Sequence, residues 1–188
     1  MSAPGDDLDE VVREALSGDN AALGVLYDSL QPSLVRYLSW QEPSAGEDLA
    51  AETWLVVAER LASFEGDGRA FRAWLFGIAR RRLSDHRRRL VRRRTFPVSG
   101  DLLDEHAGRE DPESLAIETL SSEEAIAQLT SLLSPDQAEV MVLRVVGGLS
   151  VEETAGVVGK RPGSVRVLQH RALRRLARKL GEELPVEA

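Results

Sequence analysis

Apolar residues recur along this chain with the three-to-four-residue spacing of amphipathic helices. No stretch sustains the strict alternation of a half-buried strand. Residues 6–16 predict a first helix, ended by Ser17-Gly18-Asp19. Residues 21–40 predict a second, with Leu23, Leu26, Tyr27, Leu30, Leu34, Tyr37 and Leu38 on one stripe. Pro32 falls inside it, and a proline lacks the N–H that the helix needs, so a kink or split is expected there. Ser44-Ala45-Gly46-Glu47 has the spacing of a capping box and predicts the start of a third helix. Its apolar face would be Leu49, Thr53, Trp54, Val57, Ala58 and Leu61. The loop Glu65-Gly66-Asp67-Gly68 breaks the chain, and a fourth helix runs from about Arg69 into a stretch dominated by arginine.

Between residues 95 and 121 the periodicity dissolves into an acidic segment containing Pro97, Gly100, Gly108 and Pro112, which reads as a linker. Helical signals then resume. Ser134-Pro135-Asp136-Gln137 is a capping box with proline at the first helical position. Gly147-Gly148 ends that helix. Ser150-Val151-Glu152-Glu153 opens a short one to about Val158. After the turn at residues 159–162, a long basic helix spans about 163–180. The expectation is an all-α protein of two small helical domains, residues 1–94 and 122–182, joined by a flexible linker over 95–121.

Charge changes the picture. The chain carries −7 overall, but the charge is sorted. Residues 69–94 hold eleven arginines and one acid, and residues 160–181 hold eight basic residues and no acid. Two basic blocks in an acidic chain suggest two separate polyanion-binding surfaces. Cysteine is absent, which removes disulfides, thiolate zinc sites and cysteine nucleophiles together. No apolar run approaches the ~20 residues that span a bilayer. No signal peptide is visible at residues 1–10, so a cytoplasmic protein is expected, without membrane insertion. No metal-ligand or nucleophile–base spacing stands out, so no catalytic residue, metal or cofactor is expected.

Two helices joined by a tight turn, the second strongly basic, form the helix-turn-helix pattern. Val151, Ala155 and Val158 would face inward on the first helix, and Val165, Leu168, Ala172, Leu173 and Leu176 on the second. Arg166, His170, Arg171, Arg174 and Arg178 would face outward. The first residues of such a helix reach base edges in the major groove, where arginine matches guanine O6 and N7. Arginines further along would hold phosphates.

All nine aromatic residues lie at or before Phe96, and Phe64, Phe71, Trp74 and Phe76 cluster beside the first basic block. Rings interleaved with arginines suit single-stranded DNA, because exposed bases stack on rings while guanidinium groups hold the backbone. The same rings could simply be core, the reading favoured for Trp74 and Phe76.

Residues 47–54 (EDLAAETW), 64–67 (FEGD) and 71–80 (FRAWLFGIAR) resemble region 2 of the extracytoplasmic-function sigma factors. Residues 149–155 (LSVEETA), with Val165-Arg166 and His170-Arg171-Ala172, resemble their region 4. The resemblance implies a subunit that lets RNA polymerase find and open a promoter, with no catalysis of its own. Asp48, Leu49, Glu52 and Leu55 would dock on the clamp helices of the β′ subunit of core polymerase, and region 4 on the β flap. Phe64, Phe71, Trp74, Arg80, Arg81, Arg87 and Arg88 would capture the −10 element, including a flipped base. Arg161, Ser164, Arg166, Val167, His170, Arg171 and Arg174 would contact the −35 element. An anti-sigma factor would be a further partner, and the protein would sit in the cytoplasm, at the nucleoid through polymerase. The family often has glutamine at Ala51, asparagine at Arg81 and serine at Val167. A linker reaching at most ~90 Å could bridge promoter elements ~50–60 Å apart. The residues alone also admit a conventional two-domain regulator binding symmetric half-sites, or a nucleic-acid enzyme using Asp85 and His86.

Overall fold

The computed structural model describes residues 6–95 and 122–183. Among these residues there are eight α-helices, one 3-10 turn and no strand. The N-terminal half holds α1 (Asp6–Leu16), α2 (Asn20–Gln41), α3 (Gly46–Arg60), the 3-10 turn Leu61–Ser63 and α4 (Gly68–Thr95). The C-terminal half holds α5 (Ser122–Ser131), α6 (Pro135–Val145), α7 (Val151–Val158) and α8 (Pro162–Glu183). The linker expected over 95–121 lies outside the described residues apart from Thr95, which belongs to α4.

Side chains from neighbouring segments satisfy the helix starts. Asp19 Oδ1 accepts from the Ala21 and Ala22 amides at 2.8 and 3.4 Å and so opens α2. Asp67 accepts from the Ala70 amide at 2.8 Å, and Asp9 of α1 accepts from the Gly68 amide at 2.8 Å. Both carboxylates also sit at the positive end of the α4 dipole. Leu26, Leu30, Leu34, Tyr37 and Leu38 of α2 are buried against α1, α3 and α4, along with Phe71, Leu75, Phe76 and Leu83 of α4.

Four local expectations need correction. Pro32 neither splits α2 nor ends it. The carbonyl it leaves without a helical partner belongs to exposed Asp28, where water can serve it, and the buried stripe holds the helix together. Tyr27 of the expected stripe is 42% exposed, lying over the Trp54 ring rather than in the core. Ser44 does not cap α3; Ala45 takes the cap position without a side-chain bond. Gly46 starts that helix pressed onto α2, where a Cβ would lie 2.2 Å from Ser39 Oγ. This close approach fixes the start. The buried face of α3 includes Ala50 and Val56, whereas Ala58 points to solvent.

In the C-terminal half both capping boxes form. The Ser134 amide donates to Gln137 Oε1 at 3.1 Å. The Ser150 amide donates to Glu153 Oε2 at 2.7 Å, while the Glu153 amide donates to Ser150 Oγ at 3.1 Å. Gly159 closes α7 at φ 69°, a left-handed conformation that costs glycine little. Ala155, Val158, Val165 and Ala172 form the α7–α8 core. Leu173 does not join the inward stripe; it is 49% exposed.

The two halves share one continuous apolar core. α7 packs on α4, and α5 packs on α2. The turn after α6 lies flat on α4, where a Cβ on Gly147 would sit 3.3 Å from the Phe76 ring. Phe76, in α4, is therefore core, as expected.

Candidate nucleic-acid interface

α3 presents an acidic, apolar-tipped face. Asp48 is exposed, Glu52 is half-exposed and Leu55 is 65% exposed; their spacing of four and three residues aligns them. Glu52 is only loosely held by Arg89 of α4 at 3.8 Å. An outward leucine flanked by carboxylates is what a protein-docking surface needs. Leu49 is different. It is 1% exposed and belongs to the core, so it shapes this helix from behind and cannot itself touch a partner.

The aromatic cluster forms where α4 begins. Phe64 contacts Phe71 edge-on, with centroids 5.5 Å apart, and lies 4.9 Å from Trp74 at a tilt of 32°. Gly66 makes room for it, since a Cβ there would meet the Ala70 Cβ at 2.7 Å and the Phe64 ring at 3.0 Å. Phe64 and Trp74 are half-buried; Phe71 is fully buried and packs against both. Trp74 is thus neither pure core nor an open platform. Beyond the rings, Arg81 and Arg88 are exposed along α4. Arg87 is committed to the end of α2, donating to Glu42 Oε1 at 2.6 Å and to the Gln41 carbonyl at 2.9 Å. Arg88 makes only a long contact with Asp85, 3.5 Å.

α8 carries the second basic surface. Arg161, Ser164, Arg166, Val167, His170, Arg171 and Arg174 are all exposed. They line the outward side of a helix about 33 Å long at 1.5 Å per residue. Arg166 is tied to Glu152 of α7 at 2.6 Å, and Lys160 to Asp136 of α6 at 2.9 Å. Both pairs are exposed, so they cost little to exchange for DNA phosphates.

The two basic surfaces differ in access. The α8 face is open. The α4 face is partly covered by the C-terminal half: a cleft of about 220 Å³ runs between Trp74, Ile78 and Arg81 of α4 and Glu153, Gly156 and Val157 of α7. Arg80 is engaged by Glu139 of α6, with Nε donating to Oε1 at 2.8 Å and Nη2 to Oε2 at 3.3 Å. The buried Tyr37 hydroxyl donates to the same carboxylate at 3.2 Å, and burial pushes its pKa well up from the ordinary tyrosine value. Trp40 Nε1 of α2 donates to Thr130 Oγ1 of α5 at 2.8 Å. The sequence carried no signal for Glu139, Tyr37, Trp40 or Thr130 as a junction, because nothing local distinguishes one acid among 31. Nor did α5 show itself, its apolar positions being few.

Among the described residues no group of three or more His, Asp or Glu could hold a metal ion, and no helix is long and apolar enough to cross a membrane.

Residues 26–94 match the family described as Sigma-70 region 2, and residues 123–176 match Sigma-70, region 4. The ECF RNA polymerase sigma factor SigD of Mycobacterium tuberculosis is 39% identical over 182 residues, covering 94% of this chain and 85% of that protein. The ECF RNA polymerase sigma factor BldN of Streptomyces coelicolor is 38% identical over 176 residues, covering 93% of this chain and 66% of that longer protein. The fold is shared with the sigma factor RpoE solved in complex with the anti-sigma factor NepR from Bartonella quintana, at a TM-score of 0.61 and 24% identity, covering 86% of this chain and 96% of that one. An acidic helix, an aromatic–arginine helix and a basic helix-turn-helix thus occur in the order of a known architecture, and this chain belongs to the extracytoplasmic-function (ECF) sigma factors, transcription initiation factors rather than enzymes.

Proposed function

We propose that this sigma factor binds core RNA polymerase through α3, reads −35 duplex through α8, and melts and holds the −10 element on α4. The observation that carries this division of labour is the separation of two basic surfaces on two helical units, one with rings beside it and one without. Region 2 function falls to residues 1–94 and region 4 function to residues 122–182, with 95–121 between them. Asp48, Glu52 and Leu55 meet the clamp helices of the β′ subunit, and the C-terminal unit meets the β flap. Phe64 and Trp74 stack on unpaired bases while Arg80, Arg81 and Arg88 hold the strand; Phe71 acts by supporting the rings. A base read on its pairing edge must first leave the stack, so the strand is captured as it opens. Arg161, in the turn just before α8, and Ser164, Arg166 and Val167 of α8 face the groove first, and His170, Arg171 and Arg174 follow along the helix. The protein works in the cytoplasm, at the nucleoid with polymerase, and an anti-sigma factor controls it.

The test is permanganate footprinting of a promoter fragment with purified bacterial core polymerase and this protein. Reactive thymines at −10 that need both components are expected. Symmetric protection of duplex by the protein alone would instead point to a conventional regulator.

A further inference from the structure

We propose that Glu139 is an internal stand-in for promoter phosphate, occupying Arg80 in the free protein and latching region 4 over the −10 face of region 2. The proposal rests on the sigma-factor function above and adds a regulatory contact to it.

Arg80 lies on α4, between the ring cluster and Arg87. Its guanidinium meets Glu139 with two parallel donors, Nε at 2.8 Å and Nη2 at 3.3 Å. That fork is the geometry arginine uses on a phosphate, so the carboxylate and a DNA strand compete for the same two N–H groups. The pair is not a loose surface contact: the Glu139 side chain is 14% exposed and that of Arg80 39%. Salt therefore screens it less than the exposed pairs elsewhere on the protein.

Tyr37 fixes where the carboxylate goes. It belongs to the core of region 2 and is fully buried, yet its hydroxyl finds its partner in region 4, on Glu139 Oε1. A buried hydroxyl without a partner is costly, so this donor favours docking of α6 at one place. Trp40 repeats the logic one turn further on, with its ring N–H on Thr130 of α5. Docking at these points brings α7 down beside Trp74, Ile78 and Arg81. The −10 face is thereby partly covered and Arg80 engaged, while the α8 face stays in solvent. Closure weakens strand capture and spares duplex binding, an asymmetry that general compaction would not give.

The experiment uses the full chain. It has no cysteine, so cysteines placed at exposed Glu59 and Ala177 carry one spin label each without background. Pulsed-EPR distances report closure. Fluorescence anisotropy reports binding of mixed-sequence single-stranded DNA of roughly 20 nucleotides, and of mixed-sequence duplex, without polymerase. Wild type should give one narrow distance distribution and weak strand binding. Glu139→Ala should broaden the distribution to longer distances and strengthen strand binding about tenfold, with duplex binding within about twofold.

Removing an acid raises affinity for any polyanion, so the charge-neutral variants Tyr37→Phe and Thr130→Val are decisive. Each should open the protein in the same direction, with a roughly two- to threefold gain in strand binding. The swap Arg80→Glu with Glu139→Arg should restore the narrow distribution while strand binding stays weak. A wild-type distribution that is already broad would overturn the latch, as would neutral variants that change neither distance nor strand affinity. Circular dichroism identifies any variant that has lost helix; the remaining ones decide. Run-off transcription with core polymerase separates the two claims. A failed latch leaves transcripts intact for wild type, Tyr37→Phe and Thr130→Val, whereas a failed sigma-factor assignment leaves all three silent.

Discussion

Leu49 and Leu55 sit six residues apart on α3, about 240° around the helix at 100° per residue, and they separate folding from docking. Leu49 is 1% exposed. Truncating it to alanine removes buried methyl groups and leaves a cavity, at a cost of about 3 kcal/mol. For a unit of this size that lowers Tm by on the order of 10–20 °C. Leu55 is 65% exposed in the free protein, so about two-thirds of its surface is still available to bury. Burying a whole leucine is worth ~1.5–3 kcal/mol, so the remainder supplies roughly 1–2 kcal/mol to an interface. Leu55→Ala should then weaken core polymerase binding by about 5–30-fold while stability stays within about 0.5 kcal/mol of wild type. Thermal melts by circular dichroism and competition binding of a labelled protein to purified core measure the two quantities. The reasoning fails if Leu55→Ala melts as early as Leu49→Ala, or if it binds core as tightly as wild type.

Other substitutions probe the remaining parts. Arg171→Ala, on the exposed face of α8, should lower affinity for a −35 duplex by about 1–3 kcal/mol if it reads a base, or reduce the salt slope by about one if it holds a phosphate. Core binding measured in the same preparation should not change. Ser150→Ala removes the acceptor of the Glu153 amide and should cost about 1 kcal/mol of stability, read by denaturant unfolding. Gly66→Ala forces a side chain into a backbone at φ 151° and against Ala70 and Phe64. It should destabilise by about 1–3 kcal/mol and shift the Trp74 fluorescence as the ring cluster moves.

Much of this was legible along the chain wherever the signal was local. The buried stripe of α2, the Ser134 and Ser150 boxes and the α7–α8 hairpin follow from spacing and capping, which depend on residues a few positions apart. The start of α3 was legible to within a residue, but its cap was not, because Gly46 is placed by contact with Ser39 and Ser44 forms no cap. The continuity of α2 through Pro32 has a related reason: packing of Leu30 and Leu34 on either side outweighs one lost hydrogen bond. On the site, the basic outward face of α8 could be seen as a charge pattern. The inward turn of Leu49 follows from the apolar stripe of α3 and conflicts with the docking role that motif membership implied, whereas the burial of Phe71 was left open, since motif membership says nothing about which side of a helix meets the core. The covering of Arg80 by Glu139 joins residues 59 apart and left no trace in periodicity or charge sorting.

The central claim is that this protein directs core polymerase to promoters, and run-off transcription tests it most directly. Purified bacterial core polymerase is mixed with a pool of genomic promoter fragments, with and without the protein. Discrete transcripts that require the protein are expected, and aligning their upstream sequences should show two elements separated by about one and a half helical turns, ~50–60 Å. Core that binds the protein and still yields no discrete transcript, while the protein alone binds symmetric duplex sites tightly, would contradict it.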